Sequence, residues 1–165
     1  MRYKSLLFTV FTVVLMTGHW ARAQQTGWVR QIHLRFEPAS HESPLQLLSK
    51  TRPSAHRISV IDQKVIRGTL PIQRNPQLSE DQLVIVALNA QGNEVTRLYH
   101  HDPRLIRAET ADPDGKLTTE NLYRESVEFV IALPRIPAIK SILILQPRWT
   151  GSEFQLDAIG KTDIE

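Results

Sequence analysis

Short apolar stretches that repeat every two residues constrain the fold of this chain more than any other feature of the sequence. In residues 28–36, Ile32, Leu34 and Phe36 alternate with polar side chains, and residues 127–133 alternate in the same way. A period of two places successive side chains on opposite faces of a β-strand, so that one face meets a core and the other meets water. No segment of ten residues has the 3.6-residue period of an amphipathic helix, and the sequence therefore predicts an all-β fold.

Nine segments are predicted to be strands, and they begin near residues 28, 57, 64, 83, 94, 104, 127, 141 and 153. A turn at Asp62-Gln63 is expected to separate the second from the third, and Asp112 to Gly115 fits a type I turn. Residues 37–54 are expected to form a long loop with room for one helical turn, whereas residues 117–124 fit either a helical turn or an edge strand.

Many short strands without intervening helices favour an antiparallel β-sandwich over a parallel sheet. The expected architecture is a sandwich of the immunoglobulin-like or fibronectin-type-III-like kind, with a small β-barrel as the alternative. The Cys, Trp, Cys core signature of true immunoglobulin domains is absent, because the chain contains no cysteine. No family is assigned.

The first 23 residues have the pattern of a secretory signal peptide. Arg2 and Lys4 precede an apolar run from Leu6 to Gly18, and Ala21-Arg22-Ala23 places small residues where signal peptidase reads them. The apolar run is shorter than the roughly 20 residues that a membrane-spanning helix needs. We therefore expect cleavage after Ala23, a single β-sandwich domain over residues 24–165, and no membrane anchor afterwards.

Charge and cysteine content indicate the compartment and exclude some partners. Arg2, Lys4 and Arg22 account for three of the 20 Lys and Arg residues, which leaves 17 basic against 17 acidic side chains after cleavage. A neutral chain lacks the excess of positive charge that binding to nucleic acid or to an anionic membrane requires. An Ala-x-Ala site without disulfides or glycosylation acceptors is typical of a bacterial periplasmic or secreted protein.

Two segments are apolar on both faces of the predicted strand. Residues 83–88 and 142–145 contain no polar side chain, whereas a sandwich strand normally turns one face to water. Something must therefore cover the second face of these strands. The candidates are the loop that carries Leu45, Leu47 and Leu48, a second copy of the chain, or a partner protein.

The candidate binding residues are Trp149, Arg148 and Tyr99. Trp149 follows Pro147-Arg148 and precedes Thr150-Gly151-Ser152, which places an aromatic ring beside an arginine at the end of a strand. Such a ring can stack on a sugar or on the side chain of a partner, although it can equally close the end of the sandwich. Phe36, Phe129 and Phe154 are in phase with apolar neighbours and are expected in the core.

Metal sites are supported only by weak patterns. His100, His101 and Asp102 form the densest group of ligand types, but neighbouring residues on a strand point to opposite faces, and no metal or other cofactor is expected. Carboxylates near the Asp112 to Gly115 turn do not match the spacing of a calcium loop. Three arginines, Arg97, Arg104 and Arg107, alternate with acidic residues and are expected to form cross-strand pairs on a solvent-exposed face.

The sequence contains no Gly-x-Ser-x-Gly elbow, no His-Glu-x-x-His motif and no thiol nucleophile. The leading functional hypothesis is therefore a binding or structural module that is not an enzyme and acts through contacts with a protein partner or with itself. A carbohydrate-binding module is the alternative, and a hydrolase with a dispersed active site is the third.

Overall fold

A computed structural model describes residues 26–39, 48–53, 56–70 and 76–164 of the chain. These residues form ten strands: β1 (Thr26–Pro38), β2 (Leu48–Ser49), β3 (His56–Thr69), β4 (Gln82–Leu88), β5 (Glu94–His101), β6 (Leu105–Ala111), β7 (Leu117–Arg124), β8 (Val127–Pro134), β9 (Ser141–Trp149) and β10 (Phe154–Asp163). All strand pairs are antiparallel, and the described residues include no helix, so the expectation of an all-β fold is confirmed.

The strands form three sheets, none of which closes into a barrel within the described part of the chain. Sheet I has the order β3-β1-β8, sheet II the order β10-β9-β4-β5, and sheet III the order β2-β7-β6. Apolar side chains of sheets I and II share one buried core, as in a β-sandwich. Ile32 and Phe36 of β1 meet Ile85 of β4 and Ile142 of β9 in this core, in agreement with the alternation read from the sequence.

The predicted turn at Asp62-Gln63 is wrong, because residues 56–69 form one continuous strand. Strand β3 pairs with β1 along its whole length, and the register shifts where His33 faces Asp62 and Leu34 faces Val60. Ile61 is the extra residue at this β-bulge, which lets the strand bend without reversing. Asp62-Gln63 also lacks the Gly or Asn that a tight hairpin turn favours, so the chain continues in the same direction.

The remaining connections follow the turn chemistry of the sequence more closely. The Asp112 to Gly115 segment is a turn in which Gly115 has φ +78° and its N–H donates to the Asp112 carbonyl oxygen at 2.9 Å. Residues 117–124, which the sequence left open, form strand β7 and pair with β6 in a hairpin. Of residues 37–54, which were expected to form a long loop, the first two end strand β1 and residues 48–49 form strand β2, which pairs with the base of β7. Residues 40–47 and 54 lie outside the described residues.

Strand β4 is buried on both faces, as its unbroken apolar sequence suggested. Leu83, Ile85 and Ala87 face the shared core, while Val84, Val86 and Leu88 form a second cluster on the opposite side of sheet II. That second cluster packs with a set of partly buried side chains, Leu78, Tyr99, Leu143, Leu145 and Leu156. Leu48 is exposed and is not part of this cluster, and Leu45 and Leu47 lie outside the described residues.

Candidate functional site

Trp149 lies at the end of strand β9, where the chain turns into β10, and its side chain is 47% exposed. Its indole ring contacts the ring of Phe154, with centroids 5.0 Å apart and the planes inclined by 59°. The backbone N–H of Trp149 donates to Glu80 Oε1 at 3.0 Å. The ring pair is therefore held at a defined place on the surface, by the strand pairing and by this bond.

Trp149 belongs to the face of sheet II that points away from the shared core, which we call the outer face. Alternate residues of a strand lie on one side, so Leu143, Leu145 and Trp149 share that side of β9. The pairing of Val84 with both Leu145 and Tyr99 extends the same side across β4 to β5. The structure thus places Trp149 and Tyr99 on one apolar surface, with Tyr99 partly buried in it and Trp149 at its exposed end.

Arg148 does not join this surface, because it is the neighbour of Trp149 along the strand and faces the other side. Its Nε donates to Asp157 Oδ2 at 2.7 Å and its Nη2 to Gln155 Oε1 at 2.6 Å. The hydrogen bond to Asp157, and then the negative charge of Asp157, raise the pKa of Arg148. Of the three binding candidates, the structure therefore brings two to one face and leaves the third on the opposite face.

Phe154 was expected in the core and is instead the partner of Trp149 on the outer face. Phe36 and Phe129 do lie in the shared core, whereas Phe154 is only partly buried and does not belong to it. The apolar alternation of β10 gave Phe154 the right phase, but it does not indicate which face of the sheet meets the core. Glu80 was also missed, because nothing in its local sequence links it to a residue so far along the chain.

The three weak metal candidates are not gathered around one point. His100 Nδ1 lies 2.6 Å from the carbonyl oxygen of His101. The imidazole ring of His100 packs against the ring of Phe129, with the ring centroids 5.4 Å apart. His101 Nδ1 bonds the carbonyl oxygen of Asp81 at 2.8 Å. Asp102 is buried and both of its oxygens accept from guanidinium groups. In the described ranges, no three His, Cys, Asp or Glu side chains are grouped to hold a metal ion.

The carboxylate of Asp112, which does not fit a calcium loop, closes the turn itself. Asp112 Oδ1 accepts from the backbone N–H of Asp114 at 3.1 Å and of Lys116 at 2.8 Å. An Asp side chain that bonds the backbone two residues on is a standard device for closing a turn. This part of the chain is the tip of an exposed hairpin, in which every residue from 109 to 121 is exposed.

Arg104 was expected on a solvent-exposed face, and this is wrong, because its side chain is fully buried. Its guanidinium forms a two-point ion pair with Asp102, with Nε to Oδ1 and Nη2 to Oδ2 both at 2.9 Å. Nη2 also donates to Gln146 Oε1 at 2.8 Å, and Nη1 donates to His56 Nδ1 at 3.1 Å. A buried guanidinium is tolerated only when its donors are paired in this way.

Arg52 completes this network, which we call the buried ion network and define as Arg52, His56, Asp102, Arg104 and Gln146. Arg52 Nη2 donates to Asp102 Oδ2 at 2.9 Å, and its Nη1 donates to the Pro147 carbonyl oxygen at 3.1 Å. Burial disfavours the charge on Asp102, but the hydrogen bonds and charge of Arg104, with the charge of Arg52, outweigh it and lower the pKa of Asp102. The network joins three parts of the sequence, represented by Arg52 and His56, by Asp102 and Arg104, and by Gln146.

The other two arginines form ion pairs at the surface. Arg97 Nη2 lies 2.7 Å from Glu94 Oε2 on the same strand, and Arg107 pairs with Asp81, which precedes β4. Both pairs are at least partly exposed, so each contributes little to the free energy of unfolding. The expected exposure therefore holds for Arg97 and Arg107 but not for Arg104. The expected cross-strand pairing is wrong for both exposed arginines, because Glu94 lies on the same strand as Arg97 and Asp81 lies outside the strands.

The stability of the fold should fall in mildly acidic solution because of His56. Burial and then the charge of Arg104 lower the pKa of His56 from 6.5 to about 4. Folded His56 therefore binds a proton less readily than His56 in the unfolded chain. The stabilisation that neutral His56 gives to the folded state is complete above pH 6.5, and it is lost as the pH falls towards 4. A shift of this size corresponds to roughly 2 to 4 kcal/mol in the free energy of unfolding.

Urea unfolding of the wild type and of His56→Gln at several pH values measures this effect. The glutamine retains an acceptor for Arg104 but does not titrate, so the slope between about pH 4 and 6.5 should flatten. The same substitution at His101, whose side chain is exposed, serves as the control and should leave the slope unchanged. An identical slope in the wild type and in His56→Gln would contradict the assignment.

Comparison of the chain with models of protein families, with characterised proteins and with solved structures finds no match. In the residues that the structure describes, no helix is long and apolar enough to cross a membrane.

Proposed function

We propose that this protein is a non-catalytic binding module, exported to the periplasm or beyond, that acts through contact with another protein. The observation that carries the proposal is the exposed ring of Trp149, which packs on the partly buried Phe154 at the end of the apolar outer face of sheet II. Exposed apolar surface that is continuous with a buried cluster is typical of protein contact sites. Tryptophan is among the residues that most often dominate the energy of such contacts.

The position of the ring pair suits a contact that forms without much rearrangement. The N–H of Thr150 donates to the Glu153 carbonyl oxygen at 3.0 Å, and the Thr150 hydroxyl donates to the same oxygen at 2.9 Å. Gly151 within this turn has φ +101°, a conformation that residues with a side chain rarely adopt. A preformed turn reduces the entropy that binding would otherwise cost.

The surroundings of Trp149 favour a protein partner over a sugar. Pro147 and Leu156, the next pair along the strands, are apolar, and Arg148 faces the opposite side of the sheet. A sugar ring that stacks on an indole also needs hydrogen-bonding groups around its edge, and Glu80 Oε1 already accepts from the Trp149 backbone. Carbohydrate binding remains the second candidate because an exposed indole is the surface on which a sugar would stack.

Trp149→Ala should abolish binding of the partner without loss of stability beyond about 1 kcal/mol, because half of the side chain is already in water. Trp28→Ala is the matched control, since Trp28 is 52% exposed and belongs to sheet I. A photoreactive amino acid at position 149 or at position 28, introduced in cells that export the protein, measures the contact directly. A defined protein adduct at position 149 alone supports the proposal.

A glycan array probed with the wild type and with Trp149→Ala separates the two candidates. Binding to a glycan that Trp149→Ala loses and Trp28→Ala keeps would replace the protein-binding proposal with the carbohydrate one. Equal adducts at positions 149 and 28, without glycan binding, would remove the basis for placing a binding site at Trp149.

Export to the periplasm or to the medium is part of the same proposal and rests on the leader in residues 1–23. Strand β1 begins at Thr26, so cleavage after Ala23 would leave every described strand intact. Intact mass spectrometry of the protein recovered from the export compartment should give the mass of a chain that begins at Gln24. A mass that includes Met1 would contradict the assignment of a cleaved signal peptide.

We also propose that sheets I and II correspond to an immunoglobulin-like or fibronectin-type-III-like sandwich. Sheets I and II together contain seven strands, which can be numbered one to seven along the chain when the strands of sheet III are left out. In this numbering, the sheet II order β10-β9-β4-β5 is seven, six, three, four. That is the order G-F-C-C′ of variable-type immunoglobulin sheets. Sheet I differs, because β1 lies in its centre where the A-B-E order would place the second strand.

A further inference from the structure

Strand β6 leaves one edge unpaired among the described residues. It lies at the end of sheet III, whose order is β2-β7-β6, and it forms one arm of the exposed hairpin. An unpaired strand edge presents backbone N–H and C=O groups that can form hydrogen bonds with another strand. The charges and the outward-facing backbone groups of β6 determine which strand this edge can bind.

The hydrogen bonds of the hairpin show which residues of β6 face this edge. At the base, Arg124 N donates to Arg104 O at 2.9 Å, and at the tip Asp112 N donates to Lys116 O at 3.0 Å. Bonded and non-bonded pairs alternate along an antiparallel ladder, and the register between these two bonds is continuous. The even-numbered residues of β6 therefore bond to β7, and Arg107, Glu109 and Ala111 direct their N–H and C=O groups outwards.

The base of the edge is partly used within the chain. Leu105 N donates to the Asp102 carbonyl oxygen at 3.1 Å, which leaves the Leu105 carbonyl facing outwards. The usable edge thus extends from the Leu105 carbonyl to Ala111.

The charges on this edge are complementary to themselves. In an antiparallel pairing with a second copy about a twofold axis at Ala108, Arg107 lies opposite Glu109 of the second copy, and Glu109 lies opposite its Arg107. The two neighbouring registers that keep the same hydrogen-bonding pattern place Arg107 opposite Arg107, or Glu109 opposite Glu109. Opposite charges across a ladder stabilise it and like charges destabilise it, so bonding pattern and charge select the same register.

We propose that the β6 edge pairs with the β6 edge of a second copy of this chain, with the twofold axis at Ala108. The side chain of Glu109 has no salt-bridge partner in the part of the chain that the structure describes, whereas Arg107 pairs with Asp81. The contact joins two copies of sheet III into one continuous sheet. It is a weak contact, because one strand edge buries far less than the roughly 1,200 Å² of a stable interface.

This pairing does not depend on the proposed function, because it uses sheet III and leaves the Trp149 surface on sheet II available. The charged residues have a second role in this arrangement. Charges at an exposed edge discourage pairing with unrelated strands, and here the same charges favour one register with one partner.

Disulfide trapping tests the register directly, since the natural chain contains no cysteine. At the proposed axis, the two Ala108 Cα atoms form a non-hydrogen-bonded pair about 4.5 Å apart, within the range that a disulfide spans. The full-length exported protein with Ala108→Cys should therefore form a covalent dimer under mild oxidation. Thr110→Cys is the matched control, because the Cα atoms of residue 110 in the two copies lie about 13 Å apart in this register, too far for a disulfide. Equal dimer formation by both variants, or none by Ala108→Cys, would overturn the proposal.

A charge exchange provides an independent test in the chain without cysteine. Sedimentation equilibrium of the wild type up to about 1 mM should show a mass that rises towards that of a dimer. Glu109→Arg should weaken the dimer at least tenfold, and the double variant Arg107→Glu with Glu109→Arg should restore it, because both cross-strand pairs are re-formed with reversed sign. Glu153→Arg, an equal change of charge at an exposed turn, should leave the dimer unaffected.

Thermal unfolding of each variant confirms that the fold is retained, and the double variant keeps the test valid if one single variant is unstable. A wild type that remains monomeric at every concentration overturns the proposal. A dimer that is insensitive to Glu109→Arg overturns it as well.

Discussion

Asp102→Ala should lower the free energy of unfolding by about 3 to 5 kcal/mol, a large share of the 5 to 15 kcal/mol typical of a domain. The carboxylate accepts from both Arg52 and Arg104, and Arg104 is fully buried. Removing it leaves a buried guanidinium without its counter-charge, next to a second one that is mostly buried. Urea denaturation at neutral pH, with the m-value fixed by the wild type, measures the loss.

Asp157→Ala is the matched control, because it removes the same kind of group from an ion pair with Arg148 in which both side chains are exposed. Its cost should lie between 0 and about 1 kcal/mol. If the two substitutions cost the same, the buried ion network does not contribute to stability in the way that its geometry implies.

Ile85→Lys should prevent the chain from folding at room temperature. Ile85 has no exposed surface and contributes to the core shared by sheets I and II. The change removes an aliphatic contact worth about 2 to 5 kcal/mol and adds the cost of burying an unpaired ammonium group, several kcal/mol more. Together these costs match the whole stability of a typical domain. Loss of near-ultraviolet circular dichroism and of dispersed amide signals in NMR spectra would report the unfolding.

Ile61→Lys is the control for this prediction, since Ile61 is the same residue type but is 41% exposed at the bulge of β3. It should leave the fold intact and cost no more than about 1 kcal/mol. A folded Ile85→Lys variant would mean that this face of β4 does not pack against sheet I.

The burial of Ile85 also changes how the two-sided apolar strand is to be understood. The sequence left open whether a loop, a second copy or a partner covers the second face of β4. Because Ile85 faces sheet I, its substitution cannot distinguish these possibilities, and the informative face is the one formed by Val84, Val86 and Leu88. Leu78, from the segment before β4, packs on that face, and Trp149 lies beyond it at the exposed end.

Strand positions were predictable where alternation and turn residues agreed. Residues 127–133 alternate cleanly and form most of β8, and the turn residues Asp112 and Gly115 close the β6–β7 hairpin. Both signals are local, since they depend on side-chain period and on backbone angles that only a few residues tolerate. Residues 62–63 misled the prediction because a polar pair between apolar segments fits either a turn or a bulge in a long strand.

The candidate site was predictable only in part. The position of Trp149 after a strand was enough to suggest an exposed ring, whereas its contact with Phe154 and its bond to Glu80 depend on residues that meet only in the folded chain. Arg148 was grouped with Trp149 because they are adjacent in sequence, yet adjacency within a strand places side chains on opposite faces. This alternation was used to separate His100 from His101, and it would equally have placed Arg148 and Trp149 on opposite faces.

Antiparallel strands could be predicted from the amino-acid sequence, because side-chain period and turn chemistry act over a few residues. The neighbours of each strand, the face of β4 that meets the core and the burial of Arg104 became evident in the folded chain alone. The local sequence around an arginine near an aspartate is the same whether the pair is exposed or buried. The environment of Arg104 and Asp102 is formed by Arg52, His56 and Gln146, which come from distant parts of the chain. Burial and ion pairing depend on these long-range contacts, and local patterns do not encode them.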